Sequence, residues 1–283
     1  TMSNFLSPKE TAEAFDGVSI GKASNSASNL FILGILAGLF IAFGGFAAQT
    51  ISHSIENTGL AKFASGAVFP VGLMLVVIAG AELFTGNNLI IIGYMDKKIT
   101  FSQLLRNWII VYAGNFVGSI FIAFMVSQSG LLSTSGGLLG ATVIKAAIGK
   151  ASLPFSEAVV RGVLCNIIVV LAVWMAIAAK DISSKILAIW FPIMLFVMSG
   201  FEHSIANMYF IPAGILAKAN TTYLEAGKIT AESLSKLNLG GLFANLIPVT
   251  LGNIIGGAII IGLSYWYVYR YTPSQNSQAV VKK

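Results

Sequence analysis

The sequence predicts an all-α membrane protein with six transmembrane helices. They form two inverted three-helix repeats in which the second and fifth helices are broken. Three observations carry this. The 283 residues are 56% hydrophobic and only 10% charged, with a mean hydropathy of +0.82, whereas a water-soluble domain carries about 25% charged residues. Apolar runs near the roughly 20 residues that cross a bilayer recur along the chain. The second half also repeats short motifs of the first half in the same order. The single cysteine, Cys165, excludes a disulfide framework or a cysteine zinc cluster. The net charge of +6 forms no stripe suited to nucleic acid. The basic residues lie between apolar segments, where they orient a membrane protein.

The elements follow in order. Residues 1–28 form an N-terminal segment in which Ser7, Pro8 and Glu10 make a capping box with proline at the first helical position. A short amphipathic helix from about Pro8 to Phe15 is expected, with Ala12 and Phe15 inward on the membrane face. A polar hinge from Ala23 to Asn29 follows, and whether the helix closes the cytoplasmic mouth is left open by the sequence. The channel domain covers 29–270. Its first span runs from about Leu30 to Ala48. Ala47-Ala48-Gln49 resembles a signal-peptide cleavage site, but the apolar run is too long and no basic segment precedes it. The second span, Val68 to Tyr94, is interrupted by Glu82 and by Thr85-Gly86-Asn87-Asn88. The third runs from Trp108 to Val126 and the fourth from Ala158 to Ala179. The fifth, Ile186 to Ala217, is interrupted by Gly200-Phe201-Glu202-His203, and the sixth runs from Gly241 to Tyr269. Residues 271–283 are read as a cytoplasmic tail. With the N-terminus inside, Lys9, Lys22, Lys97, Lys98, Arg106, Lys180, Lys185, Arg270, Lys282 and Lys283 fall on the cytoplasmic side. These outnumber the rest of the 17 basic residues, which favours both termini in the cytoplasm.

The repeat rests on three matches. Gly80-Ala81-Glu82-Leu83-Phe84-Thr85-Gly86-Asn87 parallels Gly200-Phe201-Glu202-His203-Ser204-Ile205-Ala206-Asn207. Gly-Asn-x-x-Gly occurs at Gly114, Asn115, Gly118 and at Gly252, Asn253, Gly256. Gly34-Ile35-Leu36-Ala37 parallels Gly162-Val163-Leu164-Cys165. An odd number of spans per repeat inserts the second repeat upside down, an arrangement typical of transporters and channels. The two breaks are expected to meet near the midplane, where irregular backbone is tolerated only inside protein or beside a water-filled cavity. Helix N-termini freed there favour a small anion.

These motifs, G-A-E-L-F-T-G-N, G-F-E-H-S-I-A-N-M and L-I-P-V-T-L-G-N-I-I-G-G, resemble the formate/nitrite transporter family from about Leu30 to Tyr269. The Tyr209-Phe210-Ile211-Pro212 continuation and the sixth span are closer to its formate and hydrosulfide branches than to its nitrite branch. The resemblance implies an aquaporin-like protomer in a homopentamer, with one pore per subunit, in the bilayer of a bacterial inner membrane. The implied cargo is a small monovalent anion of a weak acid: formate, hydrosulfide or nitrite. No cofactor is expected. By the same resemblance Phe69 and Leu73 match the hydrophobic constriction of the second span on the periplasmic side. Leu83, Phe84 and Thr85 match the loop at its break, with Phe84 and Thr85 toward the cytoplasm. Phe196 matches an aromatic constriction, Asn166 and Val169 match pore-lining positions, His203 matches a pore histidine, and Lys150 matches a lysine near the pore. Pro70 departs from the wording of the formate channels.

Each of these has a plainer alternative. Glu82 and Glu202 are ionisable groups in apolar stretches, which ordinarily marks function. A negative charge lining the path would repel an anion, so each carboxylate is expected to accept backbone N–H groups at its own break, with Asn87 and Asn207 alongside. Histidine is the side chain whose ordinary range lies near neutrality, and His203 stands at a break, with Thr85 as the expected partner for hydrogen bonding the anion. Lys150, read alone, is a solvated loop lysine. Read as a pore residue, it raises the local anion concentration. Phe69, Leu73, Phe84 and Phe196 are ordinary core in any bundle; beside the breaks they become constrictions that select by dewetting and size. The competing function is a neutral-solute pore of the water or glycerol type, but neither break contains Asn-Pro-Ala. An enzyme is disfavoured because there is no Gly-x-Ser-x-Gly turn. His53 and His203 are the sole histidines, too few for a His-rich metal site.

Overall fold

The computed structural model describes residues 4–271. It is helical throughout, apart from one isolated antiparallel bridge between Phe5 and Ala179. Six helices are long and apolar enough to cross a membrane. In chain order the elements are α1 (Pro8–Ser24), α2 (Ala27–Ser52), α3 (Thr58–Gly80), α4 (Ile91–Met95), α5 (Phe101–Gln128), α6 (Leu138–Ala151), α7 (Phe155–Ala178), α8 (Ile182–Ser199), α9 (Ser204–Ala217), α10 (Thr221–Gly227) and α11 (Leu239–Tyr271). The broken second span is α3 followed by a 3₁₀ turn (Gly86–Ile90) and α4; the broken fifth is α8 followed by α9. The expected tail lies outside the described residues except for Tyr271.

The spans are generally a few residues longer than the sequence expectation, the third starting at Phe101 instead of Trp108, and two boundaries differ most. The N-terminal helix starts at the capping box as expected, with Glu10 N–H on Ser7 Oγ at 3.3 Å and Ser7 N–H on Glu10 Oε2 at 2.7 Å. It then runs 17 residues instead of ending near Phe15, which reduces the hinge to Asn25 and Ser26. The second span begins at Thr58, not Val68, because Asn57 Oδ1 caps it by accepting Leu60 N–H at 2.9 Å. Pro70 does not stop the run, and the helix carries through to Gly80.

Each first half-helix ends on a glycine with positive φ, Gly80 at 100° and Gly200 at 78°. A side chain there would meet Cβ strain, and glycine does not. The chain then leaves the helix for a few residues and re-enters it. The repeats are zipped internally where backbones nearly touch. A Cβ at Gly118 on α5 would lie 2.0 Å from Ile35 O on α2, and one at the matching Gly256 on α11 would lie 2.3 Å from Val163 O on α7. Such small-residue contacts let membrane helices approach closely. Outward faces carry large apolar side chains such as Phe191 (64% exposed) and Ile247 (63% exposed), suited to lipid.

The two repeats are longer than three spans. α1 leads into α2 as α6 leads into α7, and both end near a lysine, Lys22 and Lys150. Phe15 on α1 stacks on Trp174 of α7 at 5.4 Å. A charged cluster fastens α1 to the far end of α11. Arg270 donates to Asp16 at 2.8 Å and to Asp96 at 2.6 Å, and Trp266 Nε1 also donates to Asp96 at 2.7 Å. Burial raises the Asp16 carboxyl above its ordinary range, against the opposing pull of Arg270.

Candidate functional site

The site is built from two copies of one hydrogen-bonded clasp. In the first, Lys22 Nζ lies 2.8 Å from Glu82 Oε1, and Asn87 Nδ2 donates to Glu82 Oε2 at 2.6 Å and to Asn107 Oδ1 at 2.9 Å. Asn107 Nδ2 closes the circuit on Lys22 O at 3.2 Å. In the second, Lys150 Nζ lies 2.8 Å from Glu202 Oε1, and Asn207 Nδ2 donates to Glu202 Oε2 at 2.5 Å and to Asn245 Oδ1 at 2.8 Å. Asn245 Nδ2 then reaches Lys150 O at 2.9 Å. Two further asparagines hold the breaks themselves. Asn115 accepts Phe84 N–H and donates to Gly34 O and Glu82 O. Asn253 accepts Ser204 N–H and donates to Gly162 O and Glu202 O.

This corrects one expectation. The buried carboxylates of Glu82 and Glu202 meet an ammonium and an asparagine amide, not backbone N–H groups. Each negative charge is thereby neutralised by a partner of opposite sign, which removes the objection that it would repel an anion. Lys150 is likewise no loop residue: it occupies the last turn of α6 and has Phe210 beneath it, 5.1 Å from the ring centroid.

Between the clasps the breaks present Leu83 and His203, which occupy matching positions in the two repeats. They face a central cavity of about 10 Å³, room for about one water molecule. Its other walls are Ile41, Phe69, Leu73, Val169, Ile193 and Phe196. Phe69 and Phe196 meet edge to face at 5.6 Å, and Phe196 stacks on the His203 ring at 5.9 Å. A cavity of about 520 Å³ containing Lys22, Glu82 and Asn87 opens beside Leu73 and Leu83. One of about 240 Å³ containing Lys150, Glu202 and Asn207 opens beside Phe69, Phe196 and His203. Two larger cavities, here called vestibules, thus flank a narrow apolar waist.

His203 supplies the polar chemistry at the waist. Its Nδ1 accepts Ala206 N–H at 3.0 Å, capping α9, so the ring proton belongs on Nε2. Nε2 lies 2.9 Å from Thr85 Oγ1 and donates to it. The threonine hydroxyl proton is thereby left to another acceptor.

The other predicted residues take different places. Phe84 turns away from the waist and packs edge-on against Tyr112 at 5.0 Å and Trp108 at 5.9 Å. Asn166 is a brace whose Nδ2 donates to Thr85 O, Asn88 Oδ1 and Asn253 O. Lys22, Asn107 and Asn245 complete the clasps, and Asn115 and Asn253 hold the breaks, without a site role having been expected of them. Their signal was available: buried asparagines at matching positions in both repeats, with Asn115 and Asn253 inside a motif that drew notice for its glycines.

A family model described as formate/nitrite transporter matches residues 9–267. The chain belongs to the formate/nitrite transporter family. Family members are channels and transporters, not enzymes, and the six spans make this one a multi-pass membrane protein. A probable formate transporter of Methanothermobacter thermautotrophicus is 42% identical, covering 94% of this chain and 98% of that relative. The formate channel FocA of Escherichia coli K12 is 38% identical, covering 94% and 95%. Among solved structures, a pentameric formate channel with formate bound superposes with TM-score 0.79 at 37% identity, covering 86% of this chain and 97% of that one. An FNT family ion channel gives 0.78 at 30% identity, covering 91% and 98%. The expected fold, two inverted repeats with broken second and fifth helices, is the fold observed.

Proposed function

We propose that this member of the formate/nitrite transporter family is a channel for small monovalent anions of weak acids. Formate is the principal cargo, and hydrosulfide and nitrite are admitted by the same chemistry. It works as a homopentamer with one path per subunit, in a cytoplasmic (inner) membrane with both termini inside. Residues 29–270 then form the channel domain, and α1 belongs with the first repeat as a lid on the Lys22 vestibule. The pentamer and the cargo rest on the solved relative that is a pentameric formate channel with formate bound.

The observation that carries the reading is one polar pair, His203 and Thr85, beside a waist otherwise walled by aliphatic and aromatic side chains. An anion enters a vestibule drawn by a lysine whose charge is shared with a glutamate. It sheds water at Phe69 and Phe196 or at Leu73 and Leu83, since the waist holds about one water. There Thr85 O–H donates to an anion oxygen while His203 Nε2–H holds the hydroxyl in that orientation. Large metabolites are excluded by the apolar ring. The test is flux into proteoliposomes of formate, hydrosulfide, nitrite and glycerol side by side. The three anions are expected to pass and glycerol to be retained; free passage of glycerol with no formate flux would overturn the assignment.

A further inference from the structure

The Lys150 vestibule contains a buried amide whose N–H has no acceptor among the described residues. Gln49, on α2, is 4% exposed and lines that vestibule together with Phe69, Phe196 and His203. Its Oε1 accepts the hydroxyl of Tyr209, a fully buried residue of α9, at 3.0 Å. Its Nε2 has no partner among the described residues. A buried N–H without an acceptor is costly and is rare in native folds.

The other vestibule lacks this arrangement. The position matching Gln49 in the second repeat is Ile177, which lines the Lys22 vestibule, and the position matching Tyr209 in the first repeat is Leu89. The polar pair is thus present only on the side where Phe69, Phe196 and His203 stand, and the repeat does not require it. Lys150 is already partly committed, because Glu202 holds its ammonium at 2.8 Å, whereas the Gln49 Nε2–H is wholly unengaged among the described residues.

We propose that the Gln49 carboxamide is a second anion-binding group, donating Nε2–H to the anion as it crosses between the Lys150 vestibule and the phenylalanine ring. Tyr209 is its positioning residue: by donating to Oε1 it fixes the amide so that only N–H remains to be used. A bare donor suits an anion oxygen or the sulfur of hydrosulfide. The inference rests on the anion-channel reading above.

The test is formate current through the full-length protein in planar bilayers, with formate supplied at the Lys150 face. Gln49→Met keeps the side-chain bulk and removes the donor. The half-saturating formate concentration should rise roughly ten-fold, the loss of one hydrogen bond to a charged group. Tyr209→Phe should raise it less, by roughly three-fold, since the amide survives but is free to rotate. If Gln49→Met does not assemble, Gln49→Asn withdraws the same amide by one methylene and should also raise the half-saturating concentration. An unchanged half-saturating concentration, or a lower maximal current with that value unmoved, would make Gln49 merely structural and overturn the inference. Wild-type protein that carries no formate would instead defeat the channel reading itself.

Discussion

His203 occupies the position that Leu83 holds in the other repeat, and this one exchange places a hydrogen-bonding ring in an apolar waist. The ring has two tasks that substitution can separate. Its Nδ1 caps α9 and its Nε2 grips Thr85. Asparagine is a good helix cap but is too short to reach Thr85. His203→Asn is therefore expected to assemble normally and to lower formate flux at pH 7 roughly ten-fold, measured by stopped-flow uptake alongside thermal denaturation. His203→Leu should also lose the cap, at a cost of about 1 kcal/mol. Wild-type flux through His203→Asn would remove the histidine from the path. The sequence made this residue conspicuous because an imidazole at an interruption of an apolar run has few bland explanations. It did not disclose Lys22, because nothing local ties a lysine at the end of one helix to a carboxylate 60 positions later.

Among the elements, α1 is docked through a carboxyl that burial shifts, so its attachment is expected to respond to pH. Asp16 sits between Arg270 and Lys98, with Asp96 beyond Arg270, and burial raises its carboxyl above the ordinary value. A group with a raised value in the docked state binds its proton more tightly there. Its contribution to docking is complete below the ordinary value and is lost as pH rises through the raised one. At this residue mild acid therefore holds α1 down. Hydrogen exchange over 8–24 should show protection that is kept or increased between about pH 7 and pH 5. Asp16→Asn should stay docked at pH 7. Protection that collapses on acidification would refute this. Element boundaries were legible where capping chemistry is local, as at Ser7 and Glu10. They were lost where it is diluted: Gly17, Gly21 and Lys22 hide the second half of α1, and Lys62, Ser65 and Gly66 hide the first turns of α3. The breaks were easy to find, since a glutamate within an apolar run needs a partner. Which partner it has depends on distant helix ends.

For the whole molecule, stability rests on two equivalent seams, α2 against α5 and α7 against α11. Because a Cβ at Gly118 or at Gly256 would meet a carbonyl oxygen at 2.0 or 2.3 Å, alanine at either position must push helices apart. Each substitution should cost roughly 1–3 kcal/mol, and the two losses should be alike, as read from thermal unfolding of the detergent-solubilised protein. Unchanged unfolding temperatures would mean that the seams are slack. The duplicated clasps have a last consequence. Reading inward from Lys22 or from Lys150, a traveller meets the same clasp on either side, so the passage is close to a palindrome, broken by Gln49 and Tyr209 on one approach and by His203 opposite Leu83 at the centre. Any preference for import over export must then come from the few letters that break it, or from the gradients on either side.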